Sequence, residues 1–206
     1  MRIGFFGGSF DPPHLGHLAV GRAAAKAFAL DRILVAPTGL QPLKPDGAFA
    51  PFQNRLEMVS LLCELQSTGS VRQFEPSAID APRADCSPNY TVDTLATLRT
   101  QLDARDSIFV LLGADAFLGL PTWKAYETLL SAVDWIVVSR PGVSLLELEQ
   151  LHLSSQQLQR VHRLEHVHET ASATDIRALL KSGSDCDDLL PGSVRNYIRT
   201  HHLYET

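Results

Sequence analysis

The chain has 206 residues and a formal net charge of −5, with 45% hydrophobic and 20% charged residues. That is an ordinary globular composition, long enough to bury a real core and expected to form one domain over residues 1–206. The acid excess speaks against a general nucleic-acid binder and leaves room for a local basic pocket for a small anion.

Three cysteines, Cys63, Cys86 and Cys186, make an odd number with no pair at C-x-x-C spacing. A disulfide framework or a Cys-based zinc site is therefore not expected, and a reducing cytoplasm fits best. The opening run "MRIGFF" is broken by Gly7-Gly8, so it does not read as a signal peptide. No apolar stretch approaches the roughly 18 residues of a membrane span, so no membrane partner is expected.

"RIGFF" (Arg2 to Phe6) predicts a short buried strand stopped by two glycines. The Ala-rich stretch Leu15 to Leu30 predicts a helix, and "RILVAP" (Arg32 to Pro37) a second strand. Residues 37–51 hold four prolines and two glycines and read as a loop around Lys44. Phe52 to Gln66 reads as a helix, "VRQFEPSAI" (71–79) as a third strand, and Tyr90 to Leu102 as a helix. "SIFVLLGAD" (Ser107 to Asp115) predicts a central strand ending in Gly-x-Asp. "WKAYETLLSA" (123–132) predicts a helix and "WIVVSRPG" (135–142) another buried strand. A polar helical stretch runs to about Val161, and "RLEHVHET" (163–170) predicts the last strand. Two helices close the chain: "ATDIRALLKSG", with Gly183 as its C-terminal glycine, and "PGSVRNYIRTHHLY", with proline in its first turn. Strands alternate with helices throughout. The expected fold is α/β: a Rossmann-like, doubly wound parallel sheet with helices on both faces.

In such a sheet, ligands bind beyond the carboxyl ends of the strands. "GGSFDPPHLGH" (Gly7 to His17) lies there, between the first strand and the first helix. Its glycines let a ligand approach the backbone, and a helix N-terminus suits phosphate. If the helix starts near His14, then His14 and His17 share its first turn and can both donate to one phosphate chain. Spacing alone leaves metal binding open, with His162, His166 and His168 in "HRLEHVH" as further imidazoles, although a polar helix end running into a strand explains those more simply. Neither G-x-x-x-x-G-K-[ST] nor G-x-G-x-x-G is present at the first strand.

"GGSFDPPHLGH" resembles the first signature of the nucleotidylyltransferase superfamily, G-x-F-D-P-x-H-x-G-H. "SATDIR" (Ser172 to Arg177) resembles its second, [ST]-x-[ST]-x-x-R, at the start of a late helix. Within the superfamily the chain is similar to the bacterial nicotinate-nucleotide adenylyltransferases. "SPNYTVDTL" (87–95), "GADAFLGLPTWKAYETLL" (113–130), "VVSRPG" (137–142) and "VRNYIRTHHLY" (194–204) carry that similarity along nearly the whole chain. One stretch departs: where the family often has P-P-H-K, this chain has "QPLK" (41–44), which keeps Lys44 and replaces the histidine by Leu43.

The resemblance implies adenylyl transfer from ATP to nicotinate mononucleotide, giving deamido-NAD and pyrophosphate, with Mg²⁺ accompanying the triphosphate and no protein-bound metal. It implies catalytic parts for His14, His17, Lys44 and Arg177. Gly7, Gly8, Ser9 and Phe10 would lie along ATP with their backbone. Ser172, Thr174 and Arg177 would take the β- and γ-phosphates. Asp115 would accept from ribose hydroxyls, or else cap the following helix. Arg140 would line the adenosine side. Lys44, Tyr90, Thr91 and Trp123 would hold the mononucleotide, with Trp123 stacked on the pyridine ring or else simply core. The partners are small molecules, and a homo-oligomer stays open. So do other acceptors, nicotinamide mononucleotide or phosphopantetheine, and a non-catalytic nucleotide-binding protein on the same fold.

Overall fold

A computed structural model describes residues 1–43, 47–65, 67–68, 71–139, 151–165 and 172–205. Its centre is a six-stranded parallel sheet. The strands are β1 (Arg2–Gly8), β2 (Arg32–Pro37), β5 (Phe74–Pro76), β6 (Ser107–Gly113), β7 (Asp134–Val138) and β8 (Val161–Leu164), in the order β5-β2-β1-β6-β7-β8. From β1 the chain first winds outward through β2 to β5, then returns to the other side of β1 through β6. The reversal falls between β1 and β6, the position where an open parallel sheet leaves a crevice at its carboxyl edge. A separate two-stranded antiparallel ribbon pairs β3 (Ser67–Thr68) with β4 (Val71–Arg72).

The strand sequences explain the double winding. β6 is apolar along its length, so its residues alternate between two cores. Ile108, Val110 and Leu112 join Ile3, Phe5, Trp135 and Val137 against α3 (Thr91–Thr100), α4 (Ala114–Leu118) and α5 (Tyr126–Ala132). Phe109 and Leu111 join Phe6, Ile33, Val35 and Ile136 against α1 (Leu15–Ala27) and α2 (Phe52–Glu64). A third cluster, with Met58, Ile176, Val194 and Ile198, seats α7 (Ala173–Lys181) and α8 (Gly192–Thr200) on α2. α7 ends at Gly183, whose φ is +84°; its N–H bonds to Leu180 and that of Ser184 to Leu179, the paired bonds of a left-handed helix stop.

Several boundaries differ from the sequence expectation: the central strand, for one, stops at Gly113, with Ala114 and Asp115 already in α4. The expected strand over 71–79 is split at Gln73. Its carbonyl accepts from Ile33, and its side-chain amide donates to the Leu30 carbonyl, turning the chain out of the ribbon and into the sheet. The edge strand β5 then ends in Pro76, where a missing N–H is tolerated. The helix expected from Trp123 starts at Tyr126 because Ala125 has φ +53° and cannot continue a right-handed turn; a 3₁₀ turn, Leu120–Thr122, precedes it. The last strand begins at Val161, two residues earlier than expected, and only the short α6 (Ser155–Leu158) precedes it in the described part of the polar stretch. Pro191 caps α8 rather than lying in its first turn.

Gly21 lets α1 sit closely on the edge strand. A Cβ there would lie 2.4 Å from Phe74 Cε1, and Phe74 is buried. Exposed helical Gly→Ala gains about 1 kcal/mol, but forcing a methyl into this contact costs about 1–3 kcal/mol. Gly21→Ala is therefore expected to lower the urea midpoint of unfolding rather than raise it.

Candidate active site

The loop from Ser9 to His14 leaves the carboxyl end of β1 and is fixed by an unusual amount of buried polarity. Phe10 has φ +47°, and its ring is buried against Phe6, at 5.4 Å between centroids, and His17, at 4.7 Å. The Asp11 side chain next to it is only 3% exposed. Its carboxylate accepts from the Phe49 N–H at 2.6 Å, the Ala50 N–H at 3.0 Å and the Tyr204 hydroxyl at 2.6 Å. Arg55, equally buried, donates to the Ser9 carbonyl at 2.7 Å and to the Ala50 carbonyl at 3.1 Å. Burial pulls the Arg55 guanidinium below its ordinary value, and the charge of Asp11 opposes that shift. Burial, with Asp11 beside it, pushes the Tyr204 phenol well above its ordinary value, so Tyr204 is a permanent donor here.

His14 is the N-cap residue of α1 and is buried, while His17 is half-buried one turn on. Their ring centroids are 3.8 Å apart. The Nδ1 atom of His17 accepts the His14 backbone N–H at 3.2 Å. That bond places the proton of a neutral His17 on Nε2, which is then a donor. Both imidazoles thus stand at a helix N-terminus, where the backbone N–H groups and the helix dipole favour an anion.

α7 brings the second motif to the same loop. Arg177 donates from Nη1 to the Asp11 carbonyl at 2.7 Å, across 166 residues of chain, and from Nη2 to Thr174 Oγ1 at 3.2 Å. Its guanidinium lies 4.4 Å from the centroid of Phe49, whose backbone N–H also binds Asp11. Ser172 is the N-cap residue of α7, so Ser172, Thr174 and Arg177 all lie at the start of that helix. Gly7 and Gly8 end β1 at the same edge, and Ser9 Oγ accepts from Gln41 Nε2 at 3.1 Å. Lys44 and Arg140 lie outside the described residues.

The other side of the crevice is built by α3 and the turn before α5. Tyr90 is the N-cap residue of α3 and Thr91 its first helical residue. They are held by Asn89, whose side chain accepts from the Leu40 N–H at 2.9 Å and donates to the carbonyls of Asp80 and Ala81. The buried Asp80 carboxylate accepts from the Thr94 hydroxyl at 2.6 Å. Gly39 closes the same knot: a Cβ there would meet Pro82 N at 2.5 Å. Trp123 is half-buried at the end of the 3₁₀ turn and packs on the core. Its neighbour Lys124 lies 4.6 Å from the Tyr90 ring centroid, so the two stretches do meet. Asp115 is exposed in the first turn of α4, whose N-cap residue is Gly113, at the carboxyl end of β6.

The histidine-rich run near the last strand belongs elsewhere. His162 pairs with Asp134 at 2.9 Å, at the amino end of β7; His166 and His168 lie outside the described residues. Among the described residues no three His, Cys, Asp or Glu side chains gather as a metal site. Sequence reasoning passed over Asp11, Arg55, Asp80, Asn89 and Tyr204. Asp11 and Tyr204 stand inside stretches that carry the family resemblance, but their partners are remote in sequence.

A sheet with its reversal at β1/β6, a glycine-ended first strand, paired imidazoles at the first helix and an arginine from a late helix on the same loop define a nucleotidyltransferase. The cytidylyltransferase-like family profile matches residues 5–179. A probable nicotinate-nucleotide adenylyltransferase of Solibacter usitatus is 35% identical over 99% of this chain and 100% of its own length. One of Moorella thermoacetica is 37% identical over 98% of this chain and 91% of its own. The chain belongs to the cytidylyltransferase-like family and, within it, to the nicotinate-nucleotide adenylyltransferases. The fold matches Plasmodium falciparum nicotinic acid mononucleotide adenylyltransferase complexed with NaAD, at TM-score 0.75 and 18% identity over 99% of this chain and 97% of that one.

Two variants probe the scaffold. Tyr204→Phe removes one of three donors to a buried carboxylate and is expected to cost about 1.5–3 kcal/mol, read from chemical denaturation. Burial raises the Asp80 carboxyl above its ordinary value, against hydrogen bonds from Thr94, Thr38 and Asn89. The folded protein therefore keeps this proton where the unfolded chain has lost it. The stability it contributes is full below the ordinary carboxylate value, about pH 4, and is lost as pH rises through the raised one. Asp80→Asn is expected to flatten that decline in urea midpoints measured across pH.

Proposed function

We propose that this enzyme transfers the adenylyl group of ATP to the phosphate of nicotinate mononucleotide, releasing pyrophosphate and forming deamido-NAD. The observation that carries the reading is the Arg177–Asp11 contact, which puts the late-helix motif on the histidine loop at one sheet edge. The full-length similarity to nicotinate-nucleotide adenylyltransferases supports the choice of acceptor.

The attacking group is a phosphate oxygen, already anionic at neutral pH, so no side chain must remove a proton. Catalysis then consists of aligning two polyanions and stabilising charge on the α-phosphate and the departing pyrophosphate. His17, donating from Nε2, takes the α-phosphate in the transition state, with His14 beside it. The backbone of Gly7, Gly8, Ser9 and Phe10 runs along the nucleotide. Arg177 spends two bonds on Asp11 and Thr174, and its remaining N–H donors, with Ser172, Thr174 and the start of α7, take the β- and γ-phosphates. Asp115 faces the ribose. Lys44 reaches the reacting phosphates and Arg140 the adenosine side, as the resemblance implies. Tyr90, Thr91 and Trp123 hold the pyridine end.

Mg²⁺ would enter as an ion carried by the triphosphate, because it commonly binds through substrate phosphates. When bound it neutralises part of the phosphate charge. We place the enzyme in the cytoplasm, where a reducing milieu would keep Cys63, Cys86 and Cys186 as the free thiols they are here.

Pyrophosphate release from ATP and Mg²⁺ tests the reading, with nicotinate mononucleotide, nicotinamide mononucleotide and phosphopantetheine compared in parallel. Release is expected to be fastest with nicotinate mononucleotide; preference for another acceptor overturns the assignment of the Tyr90–Trp123 side. His17→Ala is expected to lower kcat by roughly 10²–10³, as loss of one transition-state donor does. A change confined to KM for ATP would restrict His17 to binding.

A further inference from the structure

The most exposed large apolar side chain among the described residues stands beside the second motif. Phe49 is 73% exposed, yet its backbone is firmly held. Its N–H donates to Asp11 Oδ2 at 2.6 Å, the next N–H, of Ala50, donates to Oδ1 at 3.0 Å, and the Ala50 carbonyl accepts from Arg55. The ring is therefore placed by its backbone rather than by burial. What it faces is a cation: Arg177 Cζ lies over the ring, 4.4 Å from its centroid. Arg177 is bonded at its edge, from Nη1 to the Asp11 carbonyl at 2.7 Å and from Nη2 to Thr174 Oγ1 at 3.2 Å. Two edge bonds fix a planar guanidinium within its plane and leave it free to tip about the line joining the two nitrogens. A ring laid on one face opposes that tipping.

We infer that Phe49 is a positioning residue for ATP, whose ring holds the plane of the Arg177 guanidinium so that the remaining N–H groups of the fork keep their aim on the triphosphate. This rests on the adenylyl-transfer reading above, which gives Arg177 the β- and γ-phosphates. Ring and phosphates do not compete for the cation. The ring takes the face, through its quadrupole, and the phosphates take the N–H edge. The ring also keeps water from that face, which strengthens the attraction of the charge for an anion at its edge. Asp11 is bonded to both partners, its carboxylate to the Phe49 N–H and its carbonyl to Arg177. The stack is closed on itself, so one buried residue sets its geometry. Phe49 acts through Arg177 and need not touch the reacting atoms.

The test compares Phe49→Leu and Phe49→Tyr with the wild type, by Kd for ATP with Mg²⁺ from titration calorimetry and by KM for each substrate. Leucine keeps an apolar side chain and the backbone N–H to Asp11 but has no aromatic face; tyrosine keeps the face. Phe49→Leu is expected to weaken ATP about two- to fivefold, the scale of an exposed cation–π contact. KM for nicotinate mononucleotide and the urea midpoint are expected to stay unchanged, which a merely structural role would not allow. Phe49→Tyr is expected to retain the wild-type values. In an Arg177→Met background, Phe49→Leu is expected to change kcat/KM for ATP no further, because the partner is already gone. Unaltered ATP affinity in Phe49→Leu, an equal loss in Phe49→Tyr, or the full effect persisting without Arg177 overturns the inference and leaves the adenylyl-transfer reading standing. A wild type that binds ATP but releases no pyrophosphate with nicotinate mononucleotide overturns that reading, while the ATP titrations still decide the part played by Phe49.

Discussion

A carboxylate withdrawn from water inside a loop must be answered by donors, and Asp11 shows how much structure that requirement can recruit. Desolvating an unpaired carboxylate would cost several kcal/mol. Here the donors come from residues 49–50 and from Tyr204. Arg55, equally buried, fastens the backbone on both sides of that knot through Ser9 and Ala50. The backbone carbonyl of Asp11 then holds Arg177. One residue therefore joins the first loop, the second loop, α7 and the C-terminal segment. His14 and His17 inherit their position from that junction, because α1 starts directly from the loop it fixes.

The parallel sheet supplies the second constraint. In the described part, β1 runs into α1 and β6 into α4 at the carboxyl edge, so helix N-termini gather there. α1, α3, α4 and α7 all begin around the crevice, and their partial positive charges favour an anion-rich substrate pair. The chain as a whole is acidic. Attraction for two polyanions is therefore a local property of oriented backbone and a few placed cations, and net charge conceals it.

This division explains what could be read from the sequence. β2 was expected and found over Arg32–Pro37, because a continuous apolar run bounded by proline leaves few alternatives; the central strand, expected to Asp115, stops at Gly113, where α4 takes over. The histidine pair at the start of α1 and the Arg177 motif at the start of α7 were legible as motifs. The knots that hold them were not. Asp11 with Tyr204, and Asp80 with Thr94 and Asn89, are side-chain satisfactions between segments that no local pattern pairs. The misplaced start of α5 has the same origin. Trp123 to Ala125 has good helical composition, but an αL turn at Ala125 delays the helix and leaves Lys124 beside the Tyr90 ring, and composition carries no sign of that turn.

The two sides of the crevice are consequently different kinds of machinery. At the His14–His17 end, the loop is held by the buried side chains of Asp11 and Arg55, and loss of either would unsettle the segments they join. At the Tyr90–Trp123 end, the buried frame stops at Asp80 and Asn89, and the charged residues beyond it, Arg83, Asp93 and Lys124, are partly exposed and bonded mainly to one another. The two ends thereby differ in tolerance: the first is built into the core, and the second rests on partly exposed ion pairs that substitution can alter at little cost in stability.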